Sequence, residues 1–232
     1  MTGLRPVRVA DGVHVAVDRI EDLREVPAAP ADLRSAARLP VWRMAEHLAA
    51  RTLLRRLLAG IVGPSAAREP VAAHPGGRPY LPGRPDLGIS LSHTDGWVAV
   101  AVHTVGGAVG VDVQAAVPAS ERLIRRCCSP VDRAVLARMG RVAREIEFAW
   151  VWSAQEACVK ATGAGISGLP WTVPVAVGQC EGRWGDLKWS ALHGRCPVPV
   201  SCAYQPAADI TTDITADISA DVITDIVTES PL

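Results

Sequence analysis

A glutamate and a lysine, Glu156 and Lys160, stand four residues apart in a segment that also carries several aromatic residues. This spacing predicts that both side chains lie on one face of a helix, one turn apart. Phe148 and Trp152 fall on the same side, and an aromatic stripe is typical of a helix face that is turned toward a core. A partly buried pair of this kind could take up a proton and hold a phosphate group. The alternative is an exposed ion pair that contributes little to stability.

An aspartate, Asp112, interrupts an otherwise apolar strand-like run, and Gln114 follows two residues later. Alternation along a strand puts these two side chains on one face and the neighbouring valines on the other. A carboxylate buried without a partner costs several kcal/mol, and a divalent cation held by carboxylate and amide oxygens would remove that cost. We therefore consider Asp112 and Gln114 candidate metal ligands. The alternative is a strand-end aspartate that points into water.

A third polar cluster, residues 90–95, follows a loop at residues 74–88 that is rich in glycine and proline and contains Arg78. Arg78, Ser92 and His93 could bind a phosphate through charge-assisted hydrogen bonds. Ser92 and His93 are neighbours in a strand and point to opposite faces, which argues against a Ser-His-Asp triad. The sequence also lacks a Walker loop, a dinucleotide-binding fingerprint and the HExxH motif of zinc proteases.

Hydrophobic periodicity predicts the elements that must position these side chains. Strands are expected at residues 13–17, 88–93, 97–102 and 108–113, the last two joined as a hairpin across Gly106 and Gly107, and helices are expected at 41–59, 118–139 and 142–163. This order indicates an α+β fold, with two similar halves that meet near residues 104–109. We assign residues 1–106 to the N-terminal half and residues 107–206 to the C-terminal half.

The composition of the 232 residues is typical of a globular protein, because 49% of them are hydrophobic and 21% are charged. The longest apolar stretch is shorter than the roughly 20 residues that a membrane helix needs, and the N-terminal arginines are not followed by a secretory signal. No two of the six cysteines have CxxC spacing, which argues against a zinc site or a disulfide framework. We therefore expect a cytoplasmic protein with free thiols.

The 24 basic and 24 acidic residues are unevenly distributed. Six acidic residues and no basic residue fall in residues 207–232, where an Asp-Ile/Val motif repeats every four residues. Without these six the chain has 24 basic and 18 acidic residues, so its body carries a net charge of +6. A basic body suits an anionic partner, whereas the acidic repeat predicts a disordered or loosely held tail.

Four short motifs, taken in order, resemble those of the surfactin-type 4'-phosphopantetheinyl transferases. They are Gly77-Arg78-Pro79, then Ser92-His93-Thr94, then Gly110-Val111-Asp112-Val113, and finally Trp152-Ser153 with Glu156-Ala157, Lys160-Ala161 and Gly163. Each motif alone is weak, and the order and spacing of all four make the resemblance specific. It covers roughly residues 40–170.

The resemblance implies two similar α/β halves in one chain, with coenzyme A bound in the cleft between them. Enzymes of this family use Mg²⁺, with Mn²⁺ as a possible substitute, to move the phosphopantetheine arm of coenzyme A onto a serine of an acyl- or peptidyl-carrier protein. Adenosine 3',5'-bisphosphate is the leaving product. Carriers of fatty-acid, polyketide and non-ribosomal-peptide synthesis are all compatible with the sequence. We expect a monomer that does not act on nucleic acid or a membrane.

The resemblance also implies roles for individual residues. The metal ligands would be Asp112, Gln114 and Glu156, the catalytic residues Glu156 and Lys160, and the nucleotide-binding residues Arg43, Arg78, Ser92 and His93. Glu156 would take the proton from the carrier serine, directly or through water, and Lys160 would pair with the phosphate under attack. That role accounts for a lysine in a chain with only two lysines among its 24 basic residues.

Two positions depart from the family pattern. Gln114 stands where a second acidic residue is common, so one metal ligand would be neutral and Mg²⁺ would bind more weakly or through an extra water. Gln155 replaces a basic residue that is common just before the glutamate, which would remove one phosphate or carrier contact. Neither change touches Asp112, Glu156 or Lys160, and we expect an active enzyme.

Three other functions stay open. A non-catalytic relative that binds coenzyme A or a carrier protein is favoured by Gln114. A metal-dependent phosphohydrolase would release the bisphosphate without any acceptor. A nucleic-acid-binding module is suggested only by the basic body and the seven tryptophans, which form no basic-aromatic stripe.

Overall fold

A computed structural model describes residues 5–207 of the chain as a mixed α/β structure. In chain order the elements are β1 (Val7–Ala10), β2 (Val13–Arg19), α1 (Ile20–Leu23), α2 (Pro30–Ala36), α3 (Val41–Ile61), α4 (Pro64–Arg68), β3 (Ala72–Ala73), β4 (Pro79–Tyr80), β5 (Gly88–Thr94), β6 (Trp97–His103), β7 (Val109–Val113), α5 (Glu121–Cys127), α6 (Pro130–Ala137), α7 (Arg141–Thr162), β8 (Glu181–Trp184), β9 (Leu187–Ala191) and β10 (Val200–Tyr204). The predicted acidic tail lies outside the described residues, apart from its first residue. None of the described helices is long and apolar enough to cross a membrane.

The N-terminal sheet has the strand order β1-β2-β6-β5, and all of its pairs are antiparallel. Helix α3 covers one face of this sheet, because Leu53, Leu54 and Leu57 recur at helical spacing and are fully buried against it. Both the helix predicted at 41–59 and the two strands predicted between 88 and 102 are confirmed.

The C-terminal sheet has the strand order β7-β10-β9-β8, again with antiparallel pairs. Helix α7 packs on one face of it through buried small residues such as Ala154, Ala157 and Cys158. The helix ends at Gly163, whose left-handed conformation, with φ of 77°, favours glycine. The helix predicted at 142–163 is therefore confirmed.

A third apolar core joins the two sheets. Ala99 and Ala101 of β6 pack together with Val111 and Val113 of β7 and with Cys202 of β10, and all five are buried. The valines of β7 thus point into this core while Asp112 points the other way, toward α7. The alternation predicted for this strand is confirmed, and it puts the aspartate on the helix-covered face of the C-terminal sheet.

The predicted hairpin across Gly106 and Gly107 is wrong. Strand β6 already has β2 on one side and β5 on the other, so it has no free edge to offer. The chain crosses instead to the C-terminal sheet, where β7 pairs with β10. Gly107 packs so closely against the His103 ring that a side chain at that position would collide with it.

The single helix predicted at residues 118–139 is also wrong, because the segment forms the two helices α5 and α6. Helix α5 ends at Cys127, and Ser129 then caps α6 by accepting a hydrogen bond from the Asp132 backbone N–H. Pro130 occupies the first position of α6, where its missing N–H has no cost. The Ser-Pro pair in the sequence is therefore the signal that restarts the helix.

The edge strands β5 and β7 meet through side chains, without a backbone ladder between them. Three backbone N–H groups, of Val111, Val113 and Ala115, donate to three hydroxyl oxygens of β5, at 3.0 Å to Ser90 Oγ, 3.3 Å to Ser92 Oγ and 3.2 Å to Thr94 Oγ1. We call this contact the β5–β7 seam. It places Ser92 next to Asp112, and so it brings the N-terminal sheet to the candidate site.

Candidate active site

The position of α7 over β7 depends on a glycine. A Cβ atom at Gly110 would fall well inside contact distance of the Ala157 carbonyl oxygen and of the Ala161 backbone nitrogen. Because glycine has no side chain, the helix backbone lies directly on the strand. Asp112 follows Gly110 by two residues and therefore lies on the same face of β7. The close contact at Gly110 thus brings Glu156 and Lys160 over Asp112.

We expect Gly110→Ala to destabilise the protein by about 3 kcal/mol or more, because α7 must shift away from β7 to admit the methyl group. Urea unfolding monitored by tryptophan fluorescence measures the effect. Gly60→Ala is the matched control, since a Cβ atom there meets nothing within 4 Å and the position is helical. Equal unfolding midpoints for the two variants would contradict the close packing described here.

A buried carboxylate, that of Asp112, forms the centre of the site. The residue is only 2% exposed. Its Oδ1 accepts hydrogen bonds from Lys160 Nζ at 2.5 Å and from Ser92 Oγ at 2.8 Å, and its Oδ2 accepts one from Gln114 Nε2 at 2.7 Å. Lys160 thus provides the partner that a buried aspartate requires.

The lysine does not pair with the glutamate one turn before it. Lys160 forms its ion pair with Asp112 and also donates a hydrogen bond to Ser92 Oγ at 2.8 Å. Burial raises the pKa of Glu156, the nearby Asp112 carboxylate raises it further, and Lys160 opposes both. Two carboxylates and one ammonium therefore share a small, partly buried volume, and the alternative of an exposed Glu-Lys pair is excluded.

A cleft of about 180 Å³ lies beside this group, between the Arg78 loop, β5 and the end of α7. Arg78 and Lys160 both line it. The Arg78 side chain passes over Gly163, where an added Cβ atom would lie 2.9 Å from Arg78 Cδ. The helix-ending glycine therefore leaves room for the arginine, and two cations face one cleft.

His93 lies on the opposite face of β5 from Ser92, as predicted. Its Nδ1 is 3.3 Å from Glu46 Oε2. Burial lowers the pKa of His93, and the nearby positive charges of Lys160 and Arg43 lower it further, whereas Glu46 and Asp112 act in the opposite direction.

Arg43 itself is exposed, and its guanidinium lies 5.7 Å from the centre of the Trp42 ring. It is close enough to His93 to affect the histidine electrostatically, although no direct contact joins the two.

Glu46 is the contact that the sequence analysis missed. It is the single acidic residue of α3, which also carries four arginines, at positions 43, 51, 55 and 56. A lone acid on such a helix is a signal for a specific partner. The packing of α3 against β5 brings Glu46 Oε2 to 3.3 Å from His93 Nδ1 without a hydrogen bond between them.

Gln155, next to Glu156 in the sequence, faces the core of the C-terminal part. Its side chain is fully buried, and Nε2 donates to the carbonyl oxygens of Cys127 at 2.9 Å and Val173 at 3.0 Å. The residue ties α7 to the segments on either side of it. Because it faces this core, the Gln155 side chain is not available to a phosphate or a carrier, and the loss of a contact that a basic residue would make there stays a prediction.

The donor set fits a divalent cation that completes its shell with other ligands. Within residues 5–207, no group of three or more histidine, cysteine, aspartate or glutamate side chains is arranged to hold a metal. The site nevertheless brings together the carboxylates of Asp112 and Glu156, and Mg²⁺ is commonly held by one or two carboxylates together with substrate phosphates and water. Gln114 points its amide nitrogen at Asp112, so here it supports the carboxylate.

Asp112, Glu156 and Lys160 all lie within the part of the chain that matches a family model. Residues 108–185 match the 4'-phosphopantetheinyl transferase superfamily. A 4'-phosphopantetheinyl transferase of Bacillus subtilis is 29% identical over 91 residues, which are 39% of this chain and 40% of that protein. Each match covers less than half of this chain and shows what that part is similar to.

The superfamily match extends from β7 through α5, α6 and α7 to β8. It does not reach Arg43, Arg78, Ser92 or His93, which all belong to the N-terminal sheet and its connections. The match to the Bacillus subtilis protein spans about two fifths of that relative's length. The surfactin-type assignment and the nucleotide-binding roles therefore stay predictions.

Proposed function

We propose that this protein is a phosphopantetheinyl transferase of the surfactin type. It transfers the 4'-phosphopantetheine arm of coenzyme A to a serine of an acyl- or peptidyl-carrier protein and releases adenosine 3',5'-bisphosphate. The observation that carries this proposal is the convergence of Asp112, Glu156 and Lys160 beside a cleft lined by Arg78, in the segment that matches the superfamily.

The reaction is a phosphoryl transfer. The serine oxygen of the carrier forms a bond to the phosphorus of the phosphopantetheine group, and the bond from that phosphorus to the bridging oxygen of the pyrophosphate breaks. The serine proton passes to Glu156, directly or through water, and the bisphosphate leaves with the bridging oxygen. Burial raises the pKa of Glu156, which makes it a better proton acceptor than an exposed glutamate.

Lys160 would stabilise the negative charge that develops on the phosphate oxygens, because it lines the cleft. Phosphoryl transfer depends on positioning and charge neutralisation more than on covalent chemistry. Mg²⁺, or Mn²⁺ in its place, would be held by Asp112 and Glu156, with Gln114 beside them, and would neutralise charge on the pyrophosphate.

The nucleotide end of coenzyme A would extend toward the N-terminal sheet. Arg78 lines the cleft directly. His93 and Arg43 are not among the residues that line this cleft, and they would offer nitrogen donors for the 3'-phosphate at its N-terminal side. The substrate would therefore bridge the two sheets, with its reacting pyrophosphate at the β5–β7 seam.

The strand orders support the proposal of two similar halves, residues 1–106 and 107–206. In the N-terminal sheet, β6 lies between β2 and β5, and in the C-terminal sheet β10 lies in the same way between β7 and β9. Each sheet also pairs a strand aspartate with a cation of its long helix: Asp18 with Arg56 at 3.7 Å, and Asp112 with Lys160. A complete site within one chain is consistent with a monomer.

Intact-mass spectrometry of apo carrier proteins tests the proposal. Carriers of fatty-acid, polyketide and non-ribosomal-peptide synthesis are each incubated with the protein, coenzyme A and Mg²⁺. We expect one phosphopantetheinyl group to be added to at least one carrier, and to be absent when a chelator is present. Release of the bisphosphate without any carrier would indicate a phosphohydrolase instead.

A second candidate function is a non-catalytic relative that binds coenzyme A or a carrier protein. The observation that favours it is the Gln114 amide on Asp112 Oδ2, at 2.7 Å, where a carboxylate would add a metal ligand. Tight coenzyme A binding with no mass gain on any carrier would establish this alternative.

We expect Gln114→Glu to lower the Mg²⁺ concentration for half-maximal transfer by about tenfold, because a third carboxylate raises the negative charge of the site. Rates measured across a magnesium titration, together with calorimetric Mg²⁺ binding, check this. Gln179→Glu adds the same charge outside the site and is the matched control. An unchanged Mg²⁺ concentration for half-maximal transfer would show that Gln114 does not lie next to the metal.

A further inference from the structure

The Ser92 hydroxyl has no hydrogen-bonding capacity left for a ligand. It donates its single proton to Asp112 Oδ1 at 2.8 Å, and it accepts from Lys160 Nζ at 2.8 Å and from the Val113 backbone N–H at 3.3 Å. A serine hydroxyl has one donor and two acceptor sites, and all three are used here. The residue is also buried, with 4% of its surface exposed.

These contacts differ from the nucleotide-binding role that the sequence analysis gave to Ser92. A phosphate oxygen needs a donor, and the only proton of this hydroxyl already serves a buried carboxylate. Moving that proton to a phosphate would remove a hydrogen bond from Asp112, and a buried acceptor without a partner is costly.

We propose that Ser92 is a positioning residue that fixes Lys160 and Asp112 relative to each other and holds both at the β5–β7 seam. The proposal rests on the proposed function for its kinetic test, but the three contacts do not depend on it. The hydroxyl ties a residue of the N-terminal sheet to a strand residue and a helix residue of the C-terminal part. The Ser92 hydroxyl therefore determines the position of the Lys160 ammonium relative to a bound phosphate.

The same seam provides a matched control. Thr94 Oγ1 accepts from the Ala115 backbone N–H at 3.2 Å, and its hydroxyl makes no contact with Asp112 or Lys160. Thr94→Val removes that hydroxyl with almost no change of shape. Ser92→Ala and Thr94→Val thus each remove one hydroxyl from the seam, but only Ser92→Ala also removes contacts with Asp112 and Lys160.

The kinetic test compares kcat and KM for coenzyme A in the two variants. We expect Ser92→Ala to lower kcat by about tenfold or more through misplacement of Lys160, with KM for coenzyme A within about threefold of the wild type. We expect Thr94→Val to keep both constants, and Ser92→Thr to recover most of kcat because it retains the hydroxyl. A raised KM with unchanged kcat in Ser92→Ala would show nucleotide contact and overturn the proposal, as would equal losses in the two variants.

A double-mutant cycle keeps the test independent of transfer activity. Urea unfolding midpoints are measured for Ser92→Ala, Lys160→Met and the double variant, and the same cycle is run with Thr94→Val. We expect non-additive shifts for the Ser92 cycle and additive shifts for the Thr94 cycle. Additivity in both would overturn the positioning role even if transfer is observed. Coupling in the Ser92 cycle without any transfer would uphold the linkage and reject only the proposed function.

Discussion

Glu156→Gln is expected to abolish transfer while coenzyme A still binds. The substitution keeps the size of the side chain but removes the proton acceptor and one of the two carboxylates of the site. General-base catalysis contributes about 10²–10⁴-fold to a rate, and loss of a metal ligand adds to that. Calorimetric binding of coenzyme A, together with intact-mass measurement of carrier loading, separates the two effects.

A second glutamate of α7 supplies the control. Glu145 lies three turns earlier, pairs with Arg141 at 3.8 Å and has no contact with the site, so Glu145→Gln should load carriers at the wild-type rate. Normal loading by the Glu156 variant would reject its roles as base and as metal ligand together. Loss of coenzyme A binding in that variant would instead show that Glu156 supports the cleft itself.

Lys160→Ala is expected to slow transfer by about 10²–10³-fold, since removal of one preorganised donor to a charged transition state has that effect. The substitution also leaves the Asp112 carboxylate without its ion-pair partner. The unfolding free energy should therefore fall as well, although the lysine side chain is 28% exposed and solvent can replace part of the interaction. Single-turnover rates and urea unfolding must be measured on the same preparation.

Two further variants make this result interpretable. Lys188→Ala removes the other lysine of the chain, which is exposed on β9, and should change neither rate nor stability. Lys160→Arg keeps the charge but replaces a compact ammonium with a planar, wider group, so it should restore stability better than rate. A rate for Lys160→Ala within about twofold of the wild type would remove Lys160 from the reaction.

The sequence predicted the elements that depend on local pattern. Helix α7 follows from apolar spacing and from Gly163, which can adopt the left-handed conformation that ends it. The orientation of Asp112 follows from strand alternation, since the valines on either side of it had to share a face. The ion pair between Asp112 and Lys160 was not predicted, because it depends on how α7 lies on β7.

The parts that the sequence could not provide depend on long-range pairing. The turn at Gly106 and Gly107 looks like a hairpin because nothing local shows that both edges of β6 are already occupied. The burial of Gln155 could not be predicted, because helical spacing alone does not tell which residue next to the site faces the core. The role of Ser92 depends on three partners, at sequence separations of 20 to 68 residues.

The backbone amides of the β5–β7 seam can report slow separation of the two sheets. The N–H groups of Val111, Val113 and Ala115 are covered by hydroxyl oxygens of another sheet, and they are released when the sheets part, even if each sheet stays folded. In hydrogen–deuterium exchange these three amides would therefore exchange through separation of the sheets. Amides that are hydrogen-bonded within each sheet would exchange only when that sheet unfolds. A ligand that bridges the two sheets would slow exchange most at the seam, so the lifetime of the closed site can be followed without any assay of turnover.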